Sequence, residues 1–397
     1  MNENPTPFTA EQFRQQAVEL SPAVAELQRR DNKLIDPQDP FENETEFHEY
    51  GCDFGEIVPQ IRIPGCRLPL KPNSRERSRI RRYQNIVGGF MLGHFVISNL
   101  AAFLLIQLFY VLLYAFDGMH GELPAAYDDM AQTYLTNSSS MIALNLLVYG
   151  TCNVAAALLG LRATRIPVST LFRTKNFTAG HAVCYICIML TIQTFMALAA
   201  TGITDLLEGI GITPFEMDDS MLPELKSTAV SFLYSVLIAP VTEELLMRGF
   251  VLKNLSRVSQ RFGILMSAFL FGIWHENLAQ FLLAFCGGVF LGYIAVKHDS
   301  LIPGIICHMA VNFAAEMFNA FDTYGLDTLY DLFNVVYMVM VIAGILLLIV
   351  MFIRERLPKT VPAQTERGFR ITLTSPLLLL ALAAHIGMAI YYTVSEI

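Results

Sequence analysis

Apolar residues along this chain form long runs, not the short alternating patterns typical of β-strands. A run of roughly 18 to 25 apolar residues is long enough, as a helix, to cross ~30 Å of hydrocarbon. Such runs begin near Ile86, Met141, His181, Ser227, Phe262, Leu278, Leu301, Leu332 and Thr374. The pattern predicts an all-α fold, a polytopic integral membrane helical bundle with about nine transmembrane helices.

The stretch 262–296 is the least certain to divide, because His275, Glu276 and Asn277 interrupt it. It forms either two full spans or one short helix followed by a re-entrant piece. Two spans fit the alternation of charged loops better, so we expect two helices here.

Composition supports a membrane location. Hydrophobic residues make up 54% of the chain and charged residues 16%, and the mean hydropathy is +0.46. This is more apolar surface than one soluble core can hide, which excludes a single soluble domain. The expected surroundings are therefore the lipid bilayer, and nothing points to nucleic acid as a partner.

Basic residues concentrate in alternate loops. They are six residues between Lys71 and Arg82, then Arg162, Arg165, Arg173 and Lys175, then Arg248, Lys253, Arg257 and Arg261, then Lys297, and then Arg354, Arg356, Lys359, Arg367 and Arg370. The opposite loops, 117–140, 201–226 and 322–331, hold one basic residue, Lys226. By the positive-inside rule, the N-terminus is predicted to be cytoplasmic and the C-terminus external, with the plasma membrane as the expected location.

The charge distribution also predicts two regions. Residues 1–82 are polar, contain no apolar signal-peptide core, and are expected to form a partly irregular cytoplasmic arm. Residues 83–397 are expected to form the transmembrane helical domain. The basic run 75–82 either rests on anionic lipid headgroups or only sets the orientation of the first span.

Two adjacent carboxylates end the fourth apolar run, in the pattern Glu243-Glu244-x-x-x-Arg248. Successive side chains on a helix diverge by about 100°, so the two acids serve different faces. Glu244 and Arg248 have the spacing and order of a helical ion pair, which leaves Glu243 to face a cavity. The alternative is that both acids only mark a helix end at the membrane interface.

Two further patterns have the same spacing, Phe271-x-x-x-His275 and His308-x-x-x-Asn312. In each, the two side chains are four positions apart and lie on one helix face. A lone His in an apolar helix is more often a hydrogen-bonded core residue than a reactive group. Polar side chains are costly in a bilayer, however, so their presence on neighbouring spans indicates a shared polar cavity.

Together these patterns resemble the three motifs of the CAAX protease and bacteriocin-processing family, membrane-embedded peptidases that include the type II CAAX prenyl endopeptidases. The similarity covers about 225–320, the expected peptidase core. It implies an all-helical intramembrane endopeptidase with a cavity open to the cytoplasm. By motif matching, Glu243 and His275 activate water, and His308 and Asn312 complete the site.

Peptide hydrolysis needs a base for water and donors for the developing oxyanion. Glu243 is the candidate base, His275 holds the water and later protonates the leaving amine, and His308 and Asn312 form the oxyanion hole. Glu244, Arg248 and Phe271 are the predicted supporting residues.

A second mechanism uses Glu243, His275 and His308 as ligands of a divalent metal such as zinc. The metal-free mechanism, with no cofactor, is preferred because Asn312 is better explained as an oxyanion donor than as a zinc ligand.

Other polar residues have less specific interpretations. Glu276 and Asn277 either end the fifth span or contact substrate, and Glu316 either lines the cavity or bonds to a neighbouring helix. His94 and His385 are isolated in the sequence and are interpreted as structural, and Trp274 as a packing residue.

The expected function is an endopeptidase acting on a membrane-associated peptide or lipidated protein. A catalytically idle bacteriocin self-immunity or scaffold protein is the main alternative. A transporter is a weaker one, because the sequence shows none of the internal repeats common in transporters.

Overall fold

The computed structural model describes residues 73–116, 146–174, 176–209, 229–257, 259–276, 278–354 and 368–394. Within these ranges the chain is helical, with no strand. The helices are α1 (Asn73–Phe116), α2 (Thr151–Thr164, after a π-helical turn at Leu146–Gly150), α3 (Ala179–Gly209), α4 (229–255), α5 (Gln260–Trp274), α6 (Leu278–His298), α7 (Ile302–Thr323), α8 (Asp327–Arg354) and α9 (Pro376–Val394).

The all-α membrane fold predicted from the apolar runs is confirmed. Four helices of the described residues are long and apolar enough to cross a bilayer, namely α1, α3, α6 and α8. Helices α5 and α9 are apolar but shorter. The count of nine crossings therefore stays a prediction, as does the orientation of the termini.

Two of the predicted boundaries can be compared with the helices. The stretch 262–296 contains two helices, because α5 ends at Trp274 and α6 begins at Leu278. Helix α1 begins at Asn73, so it includes the last residues of the predicted arm. Residues 1–72, which make up the rest of that arm, lie outside the described residues, as does Asn277.

Helix α4 is a composite rod. A short α-helix, Ala229–Phe232, leads into a π-helical segment, Leu233–Ile238, and then into one α-helical turn and a half, Ala239–Glu244. A second π-helical segment, Leu245–Leu252, and the short helix Lys253–Leu255 complete it. The two motif carboxylates thus lie in the α-helical piece between two wider π-helical pieces.

Two apolar clusters form the interior. The first joins α1, α2, α4, α5 and α9 through residues such as Met91, Leu161, Phe250, Leu270 and Leu378. The second joins α3, α6, α7 and α8. Helix α4 belongs to the first cluster and α7 to the second, so the polar side chains that face each other between α4 and α7 lie where the two clusters meet.

The outer faces of the long helices are apolar. Phe103 on α1, Leu198 on α3 and Phe352 on α8 are 58%, 66% and 77% exposed. Contiguous exposed surfaces of this kind are characteristic of contact with a membrane. Together with the long apolar helices, they identify an integral membrane protein in a lipid bilayer.

Candidate active site

The two adjacent carboxylates of α4 lie in different surroundings. The Glu244 side chain is 0% exposed, whereas that of Glu243 is 17% exposed. Both are helical neighbours, so the difference comes from the helices packed against each face of α4. Glu243 is therefore the acid that a reactant can approach.

Glu244 is held by Arg248, as the spacing predicted. Arg248 Nη1 donates to Glu244 Oε1 at 2.7 Å, and both side chains are buried. Arg248 Nη2 also donates to the Gly288 carbonyl of α6 at 3.4 Å. The guanidinium carbon lies 4.5 Å from the centre of the Phe271 ring, a cation–π distance. Arg248 therefore joins α4 to both α5 and α6.

His308 of α7 lies between the two carboxylates. Its Nδ1 donates to Glu244 Oε1 at 3.2 Å. Its Nε2 faces Glu243 Oε2 at 3.8 Å, which is too long for a direct hydrogen bond. Because Nδ1 carries the shared proton, Nε2 is an acceptor in the neutral ring and a donor in the doubly protonated ring. Glu244 thus fixes the orientation of His308, and its Nε2 and Glu243 are left available to one water molecule.

Phe271 and His275 complete this side of the site. His275 is the residue that caps the C-terminal end of α5, and its Nδ1 donates to the Phe271 carbonyl at 2.8 Å. The Phe271 ring contacts both imidazoles edge to face, with centroid distances of 4.9 Å to His275 and 6.0 Å to His308. His275 also lies close enough to Glu243 to interact with it electrostatically. Both imidazoles thus have Nδ1 engaged.

Asn312 lies one turn beyond His308 and contacts α4. Its Nδ2 donates to the Ser235 carbonyl at 2.7 Å. Sequence explains why that carbonyl accepts a side chain. In the π-helical segment each N–H bonds to the carbonyl five residues back, as Ala239 does to Tyr234, but Pro240 has no N–H to offer Ser235. The amide has a second hydrogen, so the oxyanion role predicted for Asn312 is compatible with this contact.

The remaining polar residues predicted from the sequence bond to neighbouring helices. Glu316 bonds to the neighbouring helix, accepting a hydrogen bond from Ser235 Oγ at 2.5 Å. Glu276 follows the end of α5, as one interpretation expected, and accepts a hydrogen bond from His385 Nδ1 at 3.0 Å. His94 bonds to Asn153 at 2.7 Å. His94 and His385, which stand alone in the sequence, therefore each have a partner from a distant part of the chain, which agrees with their interpretation as structural residues.

Several residues that shape the site were not identified from the sequence. Pro240 and Ser235 decide the contact of Asn312, and Thr242 links α4 to α2. Gly304 of α7 lies against Glu244, because a Cβ there would come within 2.9 Å of Glu244 Oε2. Pro240 carried a readable signal, a proline within an apolar helical run, but its consequence depends on the π-helical register.

The suggested metal site can be compared with these contacts. The Nδ1 bonds of His275 and His308 match the way metal-bound histidines are held. Nevertheless, among the described residues no three His, Cys, Asp or Glu side chains lie close enough together to hold a metal ion. The metal-dependent and the metal-free mechanism both stay predictions.

Comparison with known proteins agrees with the motif pattern. Residues 225–314 match the family model described as "Type II CAAX prenyl endopeptidase Rce1-like". Searches of curated proteins and of solved structures give no match. The matched segment contains all three motifs and nearly coincides with the predicted core, 225–320. Over residues 225–314, this membrane protein therefore shows the sequence pattern of the type II CAAX prenyl endopeptidases, a family of proteases.

Proposed function

We propose that this chain is an intramembrane endopeptidase that hydrolyses a peptide bond in a membrane-associated protein or peptide. One observation carries the proposal: a partly exposed carboxylate, Glu243, faces the Nε2 of His308 across 3.8 Å, beside the buried pair Glu244 and Arg248. A water molecule held by both groups is the nucleophile, and its base, Glu243, lies beside it.

Glu243 acts as the general base. A carboxylate in hydrogen-bond reach of a water molecule takes its proton as the water attacks the peptide carbonyl carbon. The attack breaks the carbonyl π-bond and places negative charge on its oxygen. His275, whose Nδ1 is fixed by Phe271, presents Nε2 to the water. Its Nε2 receives the proton that Glu243 took from the water and passes it to the leaving amine, as the carbonyl re-forms and the C–N bond breaks.

The oxyanion is stabilised by His308 and Asn312. Asn312 uses the amide hydrogen that is not bonded to Ser235. His308 donates through Nε2 only as its doubly protonated form, because Nδ1 is already committed to Glu244. Donors held in this way act strongly where water is largely excluded, and removing one such donor typically costs about 10²–10³-fold in rate.

The substrate class follows from the family match. Relatives described as prenyl endopeptidases point to a peptide next to a lipidated cysteine as the first substrate to test. The bilayer around α1, α3 and α8 provides the lipid phase that such a tail would enter. Cleavage is proposed to occur on the cytoplasmic side, which is the side predicted for this end of α4 from the loop charges.

The test is turnover of quenched peptides by the purified full chain in nanodiscs, with farnesylated and unmodified versions of each peptide. Glu243→Gln keeps the size of the side chain but removes the base, so kcat should fall by at least about 10²-fold. Glu208→Gln on α3, an exposed acid outside the three motifs, is the matched control and should behave like the parent.

Chelation distinguishes the two mechanisms. The metal-free proposal expects turnover to continue in excess EDTA or 1,10-phenanthroline. Loss of turnover on chelation and recovery with added zinc would contradict it. If Glu243→Gln cleaved as fast as the parent, the site assignment would be wrong. If the parent cleaved no peptide while remaining folded, the idle immunity or scaffold role would replace the protease.

A further inference from the structure

A chain of buried hydrogen bonds reaches the residue before Glu243 from helices outside the matched segment. His94 of α1 donates through Nε2 to Asn153 Oδ1 of α2 at 2.7 Å. Asn153 Nδ2 donates to Thr242 Oγ1 at 3.3 Å, and Thr242 donates to the Ala239 carbonyl. His94, Asn153 and Thr242 are 4%, 3% and 7% exposed, so solvent does not replace these bonds.

A second contact reaches the residue after His275. Glu276 has a φ of 55°, in the left-handed region that few non-glycine residues adopt. His385 of α9, which is 0% exposed, donates through Nδ1 to Glu276 Oε1 at 3.0 Å. This bond holds the strained residue, and with it the end of α5 that carries His275.

The two contacts meet in one place. The His94 ring packs against Trp274 at 5.2 Å, and Trp274 in turn lies against His275 at 6.2 Å. The residue after His94, Phe95, packs against His385 at 4.9 Å, and the two histidines are close enough to interact electrostatically.

One nitrogen of each of these rings remains. Within the described part of the chain, His94 Nδ1 and His385 Nε2 have no hydrogen-bond partner. Both are acceptors when the other nitrogen donates, and a buried water molecule is the smallest donor that suits them.

We propose that His94, Asn153 and His385 are positioning residues for the two groups that activate water. The inference rests on the proposed function. Thr242 immediately precedes Glu243, and Glu276 immediately follows His275, so each reactive residue is held through a sequence neighbour. The partners come from α1, α2 and α9, all outside residues 225–314. The matched segment therefore supplies the reacting groups, and the flanking helices hold them in register.

This arrangement affects kcat and leaves substrate binding unchanged. His94 and Asn153 reach Glu243 through Thr242 and lie on helices outside the motifs. Their loss therefore changes the geometry of Glu243 without removing a substrate contact. A displacement of about 1 Å in a reacting group can cost up to about 10²-fold in rate. A change limited to KM would instead indicate a substrate-binding role.

Thr242 offers an isosteric test. Thr242→Val keeps the shape and removes the hydroxyl, whereas Thr242→Ser keeps the hydroxyl. We expect kcat to fall about tenfold in Thr242→Val with KM within about twofold of the parent, and both constants to stay within about twofold in Thr242→Ser. His385→Phe and His385→Asn form a second pair, because Asn can reproduce the Nδ1 donor.

Thr191→Val is the matched control. Thr191 on α3 is 1% exposed and donates to the Val341 carbonyl of α8 at 2.8 Å, and neither residue belongs to the motifs. Its loss should lower the thermal midpoint while kcat stays at the parent value. An equal loss of kcat in Thr191→Val would overturn the proposal, since it would show a general packing effect.

A measurement that does not depend on hydrolysis separates the positioning proposal from the protease proposal. Dicyclohexylcarbodiimide, an apolar reagent for membrane carboxyls, is applied to each variant, and labelling of Glu243 is followed by mass spectrometry. A changed labelling rate in Thr242→Val but not in Thr242→Ser supports positioning even if the parent cleaves nothing, in which case only the protease proposal fails. Parent-like labelling and kcat in Thr242→Val overturn the positioning role.

Discussion

Adjacent glutamates in this protein have distinct jobs because their burial differs. Glu244 is buried. Its Oε1 accepts hydrogen bonds from Arg248 and His308, and its Oε2 lies against Gly304 of α7. Removing one partner from a buried ion pair leaves the other charge uncompensated and typically costs about 3–5 kcal/mol. Glu244 therefore holds His308 in place, and Glu243 remains the partly exposed acid.

Gly304→Ala tests this support. The added Cβ would lie 2.9 Å from Glu244 Oε2, so the carboxylate must move, and His308 with it. We expect kcat to fall about tenfold, since displaced catalytic groups lose rate steeply. The thermal midpoint should also fall, although alanine is about 1 kcal/mol better than glycine within a helix.

Gly202→Ala on α3 is the control, because a Cβ there meets nothing within 4 Å. Peptide turnover and scanning fluorimetry check both variants. Parent-like turnover in Gly304→Ala would show that His308 does not depend on the position of Glu244.

Among the helices, α4 positions its polar residues by changing from a π-helix to an α-helix and back. The wide turn at Leu233–Ile238 and Pro240 leave the Ser235 carbonyl to Asn312 of α7. π-helical turns within α-helices frequently occur at functional sites. Here His308, Asn312 and Glu316 form one stripe of α7, in which His308 contacts Glu244 and the other two residues contact Ser235.

Pro240→Ala tests the role of this turn. Alanine supplies the missing N–H, which competes with Asn312 for the Ser235 carbonyl and favours a regular α-helix. Proline is disfavoured by about 3 kcal/mol in a helix interior. We therefore expect the thermal midpoint to hold or rise while kcat falls.

Pro303→Ala is the matched control, because Pro303 lies in the first turn of α7, where an N–H has no helical partner. Circular dichroism melts and peptide turnover report the two effects. Full turnover in Pro240→Ala would contradict the link between the proline and the anchoring of Asn312.

At the scale of the whole molecule, the first and last described helices, α1 and α9, pack closely against each other. Gly88 of α1 crosses α9 so closely that a Cβ would overlap the backbone of Leu378. Nearby, Ser375 donates to the buried Gln84 of α1 at 2.7 Å. This crossing brings His94 and His385, on α1 and α9, to the same side of the site.

Gly88→Ala should force the two helices apart. Overpacking of this kind commonly costs about 1–3 kcal/mol, so the thermal midpoint and turnover should both decrease. Gly93→Ala on the same helix meets nothing within 4 Å and should be neutral or slightly stabilising. Equal melting of the two variants would indicate that the α1–α9 crossing adapts without cost.

Some of the site could be predicted because its information is local. The pair Glu244 and Arg248 was predicted from i, i+4 spacing on one helix, and the structure confirms it. The same spacing placed His308 and Asn312 on one face, but it gave no indication of which helix that face meets. The structural role of His94 was expected, but its partner could not be predicted, because Asn153 is 59 residues away on another helix.

The sequence by itself determined the helical, membrane-embedded class and the residue types that form the site. Both depend on local properties, since a bilayer requires each segment to satisfy its own backbone hydrogen bonds and to be apolar over its length. The spacing of Glu244 and Arg248 already predicted which glutamate faces a cavity, but the tertiary structure alone decided which helices bury Glu244 and which groups face Glu243. That arrangement depends on His308, 64 residues from Glu244, and on the burial that neighbouring helices impose.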